Sequence, residues 1–273
     1  MKITFSTVCS KDGTRIGYQS IGKGPGIIII HGALTSSNEY IELANALADS
    51  FEVHLPDRRG RGMSEPQGDD YCMNKECEDI CAVQRDTGAA YLFGHSYGGL
   101  IALETARGDH SFSKIALYEP GVSMSADWRW MDAYEQALNK RHYRAAFTHF
   151  VLGMERTPLS KMPRWLSATI LRIMIRGKHW KQIKKLLPQN LREHKEVRYL
   201  ESANFHRYQS IKTKIQLMVG EKSPEFVQQM NAVLKITIPN SEMLVLPHLE
   251  HMAPENENAP LIIAHHFKEF LIN

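Results

Sequence analysis

The run Gly94-His95-Ser96-Tyr97-Gly98-Gly99 constrains the fold more tightly than any other stretch of this chain. It follows an apolar run at 89–93 and precedes Leu100-Ile101-Ala102-Leu103-Glu104-Thr105-Ala106, a helix-forming run. A serine with a glycine two residues away on each side, between strand and helix, marks a strained turn that leaves no room for flanking β-carbons and lifts the serine oxygen clear of the backbone. The five-residue pattern alone arises by chance in about one chain in ten of this length. The strand before it and the helix after it give it weight.

The same strand-then-helix order continues along the chain. Ile3, Phe5 and Val8 fall near an alternating pattern, Lys11-Asp12-Gly13-Thr14 offers a turn, and 15–21 returns, which reads as a hairpin. Gly26-Ile27-Ile28-Ile29-Ile30 is wholly apolar and β-branched, as a strand buried on both faces of a parallel sheet must be. Helical spacing is expected over 38–50, a strand at 51–55, a helix at 76–86, a helix at 98–106 and a strand at 114–118. The alternation then stops: from 121 to 210 there are only helical patterns rich in Trp, Met, Leu and basic residues. It resumes with a strand at 214–220, a helix at 225–234, a strand at 242–246 and a helix at 260–271. Such alternation argues a parallel sheet covered on both faces. The organisation expected is therefore a core of 1–120 and 211–273 interrupted by a helical insertion at 121–210.

Charge marks the same boundary. The net charge is only +3, yet residues 121–214 hold 19 Lys and Arg against 7 Asp and Glu, while the rest holds 14 against 23. At 273 residues the chain can bury a sizeable core. Met1–Thr7 lacks the apolar stretch of a signal peptide and no 18 apolar residues run together, so a cytoplasmic location is expected. Four cysteines are too few for a disulfide scaffold at this size. Cys72, Cys77 and Cys81 are close in sequence, but no further ligand completes a set at short spacing, and no metal is expected. The glycines after Ser96 do not form G-x-G-x-x-G, so no dinucleotide cofactor is expected either.

Taken together, His31-Gly32 after the Ile run, Asp57-Arg58-Arg59-Gly60-Arg61-Gly62-Met63-Ser64 after the next strand, the turn at Ser96 and a late histidine resemble the α/β-hydrolase superfamily over nearly the whole chain. The resemblance implies a doubly wound, mostly parallel, eight-stranded α/β sheet with an inserted helical cap (lid). It also implies chemistry. A serine hydroxyl is a poor nucleophile until a base takes its proton, and the base needs a carboxylate to fix its tautomer. In this superfamily the order is serine, acid, histidine. Ser96 is the nucleophile. His251, in the loop after the last strand, is the base, with His248 as its nearest rival. His265 and His266 fall in the last helix, and His95 is expected to pack under the turn. The backbone N–H groups of Ala33 and Tyr97 would form the oxyanion hole.

The acid departs from the commonest pattern. Family members usually carry an aspartate three residues after the glycine that ends the penultimate strand; here Gly220-Glu221-Lys222-Ser223 puts a serine there. Glu119, just past 115–118, lies where the carboxyl end of the sheet gathers catalytic groups, and its longer arm suits reach from one strand away. Glu221 and Glu225 are the rivals. The arginine-rich run 57–62 could suggest a phosphate cradle, but its resemblance is to a structural loop beside the site.

The implied function is a cofactor-free serine hydrolase acting on a small-molecule carboxylic ester or related acyl compound. Lactone, thioester, amide or carbon–carbon bond hydrolysis and perhydrolysis are alternatives on the same triad, and a non-catalytic ligand-binding protein is the alternative of another class. No nucleic-acid motif accompanies the basic charge. In the insertion, Trp128, Trp130, Met131, Tyr134, Phe147, Phe150, Val151, Leu152 and Met154 offer an apolar wall. Residues 164–187 combine Trp165, Leu166, Ile170, Leu171, Ile173, Met174 and Ile175 with Lys178, Lys181, Lys184 and Lys185. Such a helix can rest on an anionic membrane or favour anionic or amphiphilic esters. A solvated outer face of a cap helix is the plainer reading.

Overall fold

In the computed structural model the described residues are 2–108, 111–124, 126–201 and 205–272. They divide into two compact units, Met1–Val122 with Ala203–Asn273, and Ser123–Ser202.

The first unit is built on an eight-stranded sheet: β1 (Thr4–Cys9), β2 (Arg15–Gly22), β3 (Gly26–Ile30), β4 (Glu52–Pro56), β5 (Tyr91–His95), β6 (Lys114–Tyr118), β7 (Lys214–Gly220) and β8 (Ser241–Leu246). Their order is β1-β2-β4-β3-β5-β6-β7-β8. The β1–β2 and β2–β4 pairs are antiparallel, and every later pair is parallel. The isoleucines of β3 explain its central place. Ile27 and Ile29 pack with Val53, Leu55 and Phe93 under α1 (Ile41–Leu47) and α9 (Pro260–Ile272), through Leu43, Leu47, Ile263 and Phe267. Ile28 and Ile30 turn to the opposite face and are equally buried. The other helices of this unit are α2 (Met73–Thr87), α3 (Tyr97–Gly108) and α8 (Glu225–Thr237).

Two elements differ from the sequence reading in ways that matter. The strand expected at 90–93 starts one residue later and runs to His95, as β5, with Ile27 of β3 paired to Tyr91. His95 thereby becomes the last strand residue, and the turn begins at Ser96 itself. The helix expected over 38–50 is a short 3-10 turn, Ser37–Tyr40, followed by α1. Tyr40, the last residue of that turn, is fully buried.

The second unit is helical: α4 (Arg129–Asn139), α5 (Tyr143–Gly153), α6 (Arg164–Met174) and α7 (Gly177–Glu201). Trp130 is its aromatic hub, stacked on Tyr134 and set edge-on to Phe150 and His194. The Tyr134 hydroxyl lies within hydrogen-bond distance of the Leu187 carbonyl and Asn190 Oδ1, fixing α4 to α7. Among the described residues no helix is long and apolar enough to cross a membrane.

Candidate active site

The sheet order brings the carboxyl ends of β3, β5, β6 and β7 side by side. His31-Gly32 follow β3, Ser96 follows β5, Glu119 follows β6, and Gly220 ends β7. Backbone hydrogen bonds carry the ladder past the strand ends: Ser96 N–H donates to Tyr118 O at 3.0 Å, and Glu119 N–H to Met218 O at 3.0 Å.

The turn at Ser96 is as tight as its sequence requires. Ser96 has φ 54°, in the left-handed region that costs a residue with a β-carbon roughly 1–2 kcal/mol. A β-carbon on Gly98 would lie 2.3 Å from the Ile30 carbonyl oxygen, so only glycine lets α3 start against β3. Gly32 closes in from the other side, where an added β-carbon would lie 3.3 Å from Ser96 Cβ. Ala33 therefore follows directly on a residue packed against the serine, and Tyr97 opens α3, where the first N–H groups of a helix have no carbonyl of their own helix to bond.

Ser96, His251 and Glu119 form a continuous line. The Ser96 hydroxyl lies 3.1 Å from His251 Nε2, and His251 Nδ1 lies 2.7 Å from Glu119 Oε2. With Nδ1 carrying a hydrogen toward the carboxylate, Nε2 presents its lone pair to the serine. Glu119 is fully buried and also has φ 44°. Its second oxygen, Oε1, accepts from Gly220 N–H at 3.0 Å and from the Ser223 hydroxyl. The serine at the usual acid position is thus a donor to the glutamate that lies beside it.

The rivals sit elsewhere. Glu221 is largely exposed and accepts from the His248 backbone N–H at 2.9 Å. Glu225 begins α8 and accepts from Gln229, one turn on. His248 is exposed. His265 and His266 lie on α9 with Glu269, the sole group of three metal-type ligands among the described residues, and two of the three are exposed. The four cysteines are free thiols, and burial pushes the Cys77 thiol well up.

The loop carrying His251 is held by three successive carbonyls. Leu249 O accepts from Lys222 N–H at 2.9 Å, Glu250 O from the Tyr118 hydroxyl at 2.9 Å, and His251 O from His95 Nε2–H at 2.8 Å. His95 packs against the His251 ring, centroids 4.9 Å apart. Its Nδ1 meets the Tyr40 hydroxyl at 2.6 Å, and Tyr40 also receives Gly32 N–H at 3.1 Å and approaches Glu255 Oε1 at 3.4 Å. Tyr40 and Glu255 carry no sequence signal: one sits in a plain helical pattern, the other in a polar loop.

The arginine-rich run is a buried brace. Arg58 pairs with Glu76 at 2.7 Å and donates to Gly32 O at 3.1 Å. Its guanidinium also lies over the Tyr97 ring. Arg59 pairs with Asp79 at 2.7 Å. His31 Nε2 accepts from Arg58 N–H at 3.1 Å, and burial together with Arg58 and Arg61 holds the His31 ring well below the usual histidine range. These arginines are committed to carboxylates, which leaves the phosphate-cradle reading without free cations at Arg58 and Arg59.

Comparison with known proteins follows this geometry. The sequence pattern of the alpha/beta hydrolase family matches residues 27–262. An alpha/beta hydrolase from Sphaerobacter thermophilus superposes with a TM-score of 0.82 at 27% identity, covering 97% of this chain and 100% of that one. A thermophilic esterase from Thermogutta terrifontis shares the fold, with a TM-score of 0.69 at 18% identity over 98% of each chain. A pimeloyl-[acyl-carrier protein] methyl ester esterase of Xanthomonas campestris is 27% identical over 151 residues, 55% of each chain. The chain thus spans about half the length of the curated relatives it matches. With the family pattern covering most of its length and the fold shared throughout, this chain belongs to the alpha/beta hydrolase family.

Proposed function

We propose that this protein is a serine hydrolase that cleaves a carboxylic ester, or a related acyl compound, through an acyl-enzyme. The observation that carries this reading is the unbroken hydrogen-bonded line from Ser96 through His251 to the buried Glu119. Ser96 Oγ attacks the acyl carbon while its proton passes to His251 Nε2. The imidazolium that results is stabilised by Glu119 at Nδ1. The carbonyl oxygen, now an anion, would be held by the N–H groups of Ala33 and Tyr97, each such donor being worth roughly 3–4 kcal/mol in the transition state. His251 returns the proton to the leaving alcohol. Water, deprotonated by the same nitrogen, then releases the acid and restores Ser96. Likeness to a methyl ester esterase supports an ester over an amide as substrate.

Labelling with a fluorophosphonate probe tests the nucleophile. The protein should be labelled and Ser96→Ala should not. A series of nitrophenyl esters of increasing acyl length then tests the ester reading. Labelling without turnover of any ester would leave a reactive serine and sink ester hydrolysis as the function.

A further inference from the structure

Residues 156–192 contain ten Lys and Arg and no Asp or Glu. This stretch covers α6 and the first two-thirds of α7. Among the described residues, Lys161, Arg164, Arg172, Arg176, Lys178, Lys181 and Lys185 have no carboxylate within ion-pair distance. Burial first, and a neighbouring cation second, lower the affinity of Arg144 (beside Arg172) and of His149 (beside Arg164) for a proton. Two cations find only aromatic partners, Arg144 over Trp180 and Lys184 over Tyr143. Among the described residues, no carboxylate pairs with those seven cations.

The apolar residues of α6 make the second observation. A helix in such a unit is expected to bury them, but on α6 only Ser167 and Leu171 are buried. Trp165 is 71% exposed, Ile173 55% and Met174 72%, with Met162 at 38% just before the helix. Trp165, Thr169, Arg172 and Ile173 follow one another at helical spacing on the exposed face, and the exposed Arg176 lies just past the helix end. Large apolar groups are therefore interleaved with unpaired cations.

We infer that the outer face of α6, with the basic start of α7, is a docking surface for an anionic lipid bilayer. The two observations select this occupant together. Unpaired cations call for an anionic surface, and juxtamembrane Lys and Arg clusters bind acidic headgroups. Exposed Trp, Ile and Met beside them call for a surface with an apolar layer below its charges, and indole rings favour that interface. A nucleic acid would satisfy the cations and leave the apolar groups wet. A second copy of this chain would set one cationic face against another. Since no described helix is long and apolar enough to span a bilayer, α6 lies along the surface. The inference concerns binding and stands independently of the ester reading.

Co-sedimentation with vesicles tests it, using pure phosphatidylcholine and phosphatidylcholine mixed with phosphatidylglycerol. The full chain should bind the anionic vesicles at least about tenfold more strongly at low salt, and high salt should release it. Trp165→Ser with Ile173→Ser should weaken that binding about tenfold or more. Lys178→Gln with Lys181→Gln should weaken it separately. Circular dichroism checks that each variant is folded, and hydrolysis of a dissolved ester should be unchanged in all of them. Failure to bind anionic vesicles, or equal binding to neutral ones, overturns the inference. So does binding that survives loss of Trp165 and Ile173, particularly if polyglutamate competes for it, because an acidic protein would then be the better occupant.

Discussion

Ser223 donates its hydroxyl hydrogen to Oε1 of Glu119, a residue 104 positions earlier in the chain. The position where the resemblance would place the acid holds a serine here, and that serine hydrogen-bonds the carboxylate proposed as the acid. Gly220 N–H makes the second bond to the same oxygen, leaving Oε2 for His251. A fully buried carboxylate must be hydrogen-bonded to remain charged, and this arrangement supplies three donors.

Glu119→Gln keeps the shape of the side chain and removes the charge that stabilises an imidazolium. Turnover should fall by about 10³–10⁴ with little change in KM, since the group acts only once His251 gains its proton. Steady-state kinetics beside Glu221→Gln and Glu225→Gln checks the assignment. A Glu119→Gln enzyme with full turnover removes it.

Ser223→Ala should cost less, since one hydrogen bond to a charged group is worth about 1.5–3 kcal/mol. A loss of roughly tenfold in kcat is expected. Ser223→Asp alone would place a second carboxylate against Glu119 and should destabilise the fold. Combined with Glu119→Gln it restores a single acid at the usual position. The double variant should therefore be more active than Glu119→Gln alone, and an equally inactive double variant would show that an acid on β7 cannot reach His251.

Much of this was legible in the chain because it depends on strand ends. Apolar runs locate β3, β6 and β7, and His31 and Glu119, just past the first two, fall with Gly220, which ends the third, at one edge of the sheet. The turn at Ser96 is legible because its close approaches demand glycine. Tyr40 and Glu255 were not, since their partners are 55 and 215 residues apart in sequence and only the packed fold joins them. The outward face of α6 was illegible for a related reason. Helical spacing shows which residues share a face, but what covers that face is decided by neighbouring helices.

The pair Arg58–Glu76 has both side chains buried, and Tyr71 adds a hydrogen bond to the same glutamate at 3.0 Å. Removing one partner leaves a buried charge, which costs about 3–5 kcal/mol. Glu76→Ala should show that loss in urea unfolding. Because Arg58 also holds Gly32 O, a drop in kcat should accompany it. Wild-type stability in Glu76→Ala would mean that the Arg58 charge reaches solvent or another partner and is not left buried.

Glu255 ties the network to pH. Burial and the nearby Glu39 carboxylate push its carboxyl up to about 8, from an ordinary value of 4.5. The Tyr40 hydroxyl, which receives Gly32 N–H, donates to Glu255 Oε1 at 3.4 Å, and that bond favours the ionised carboxylate and opposes part of the rise. The folded protein holds the Glu255 proton while the unfolded chain releases it near 4.5, so the contribution to stability is full below about 4.5 and declines as pH rises to about 8. Each pH unit in that window removes at most about 1.4 kcal/mol. Glu255→Gln, which has no charge to bury at any pH, should match the wild type near pH 5 and melt at a higher temperature near pH 8 and above. In the wild type, an ionised Glu255 competes with His95 for the Tyr40 hydrogen, so kcat/KM should fall on the alkaline side, and the variant should lose that fall. Thermal melts and pH–rate profiles of the two proteins check both effects. Parallel curves across the window would show that Glu255 is not the group responsible.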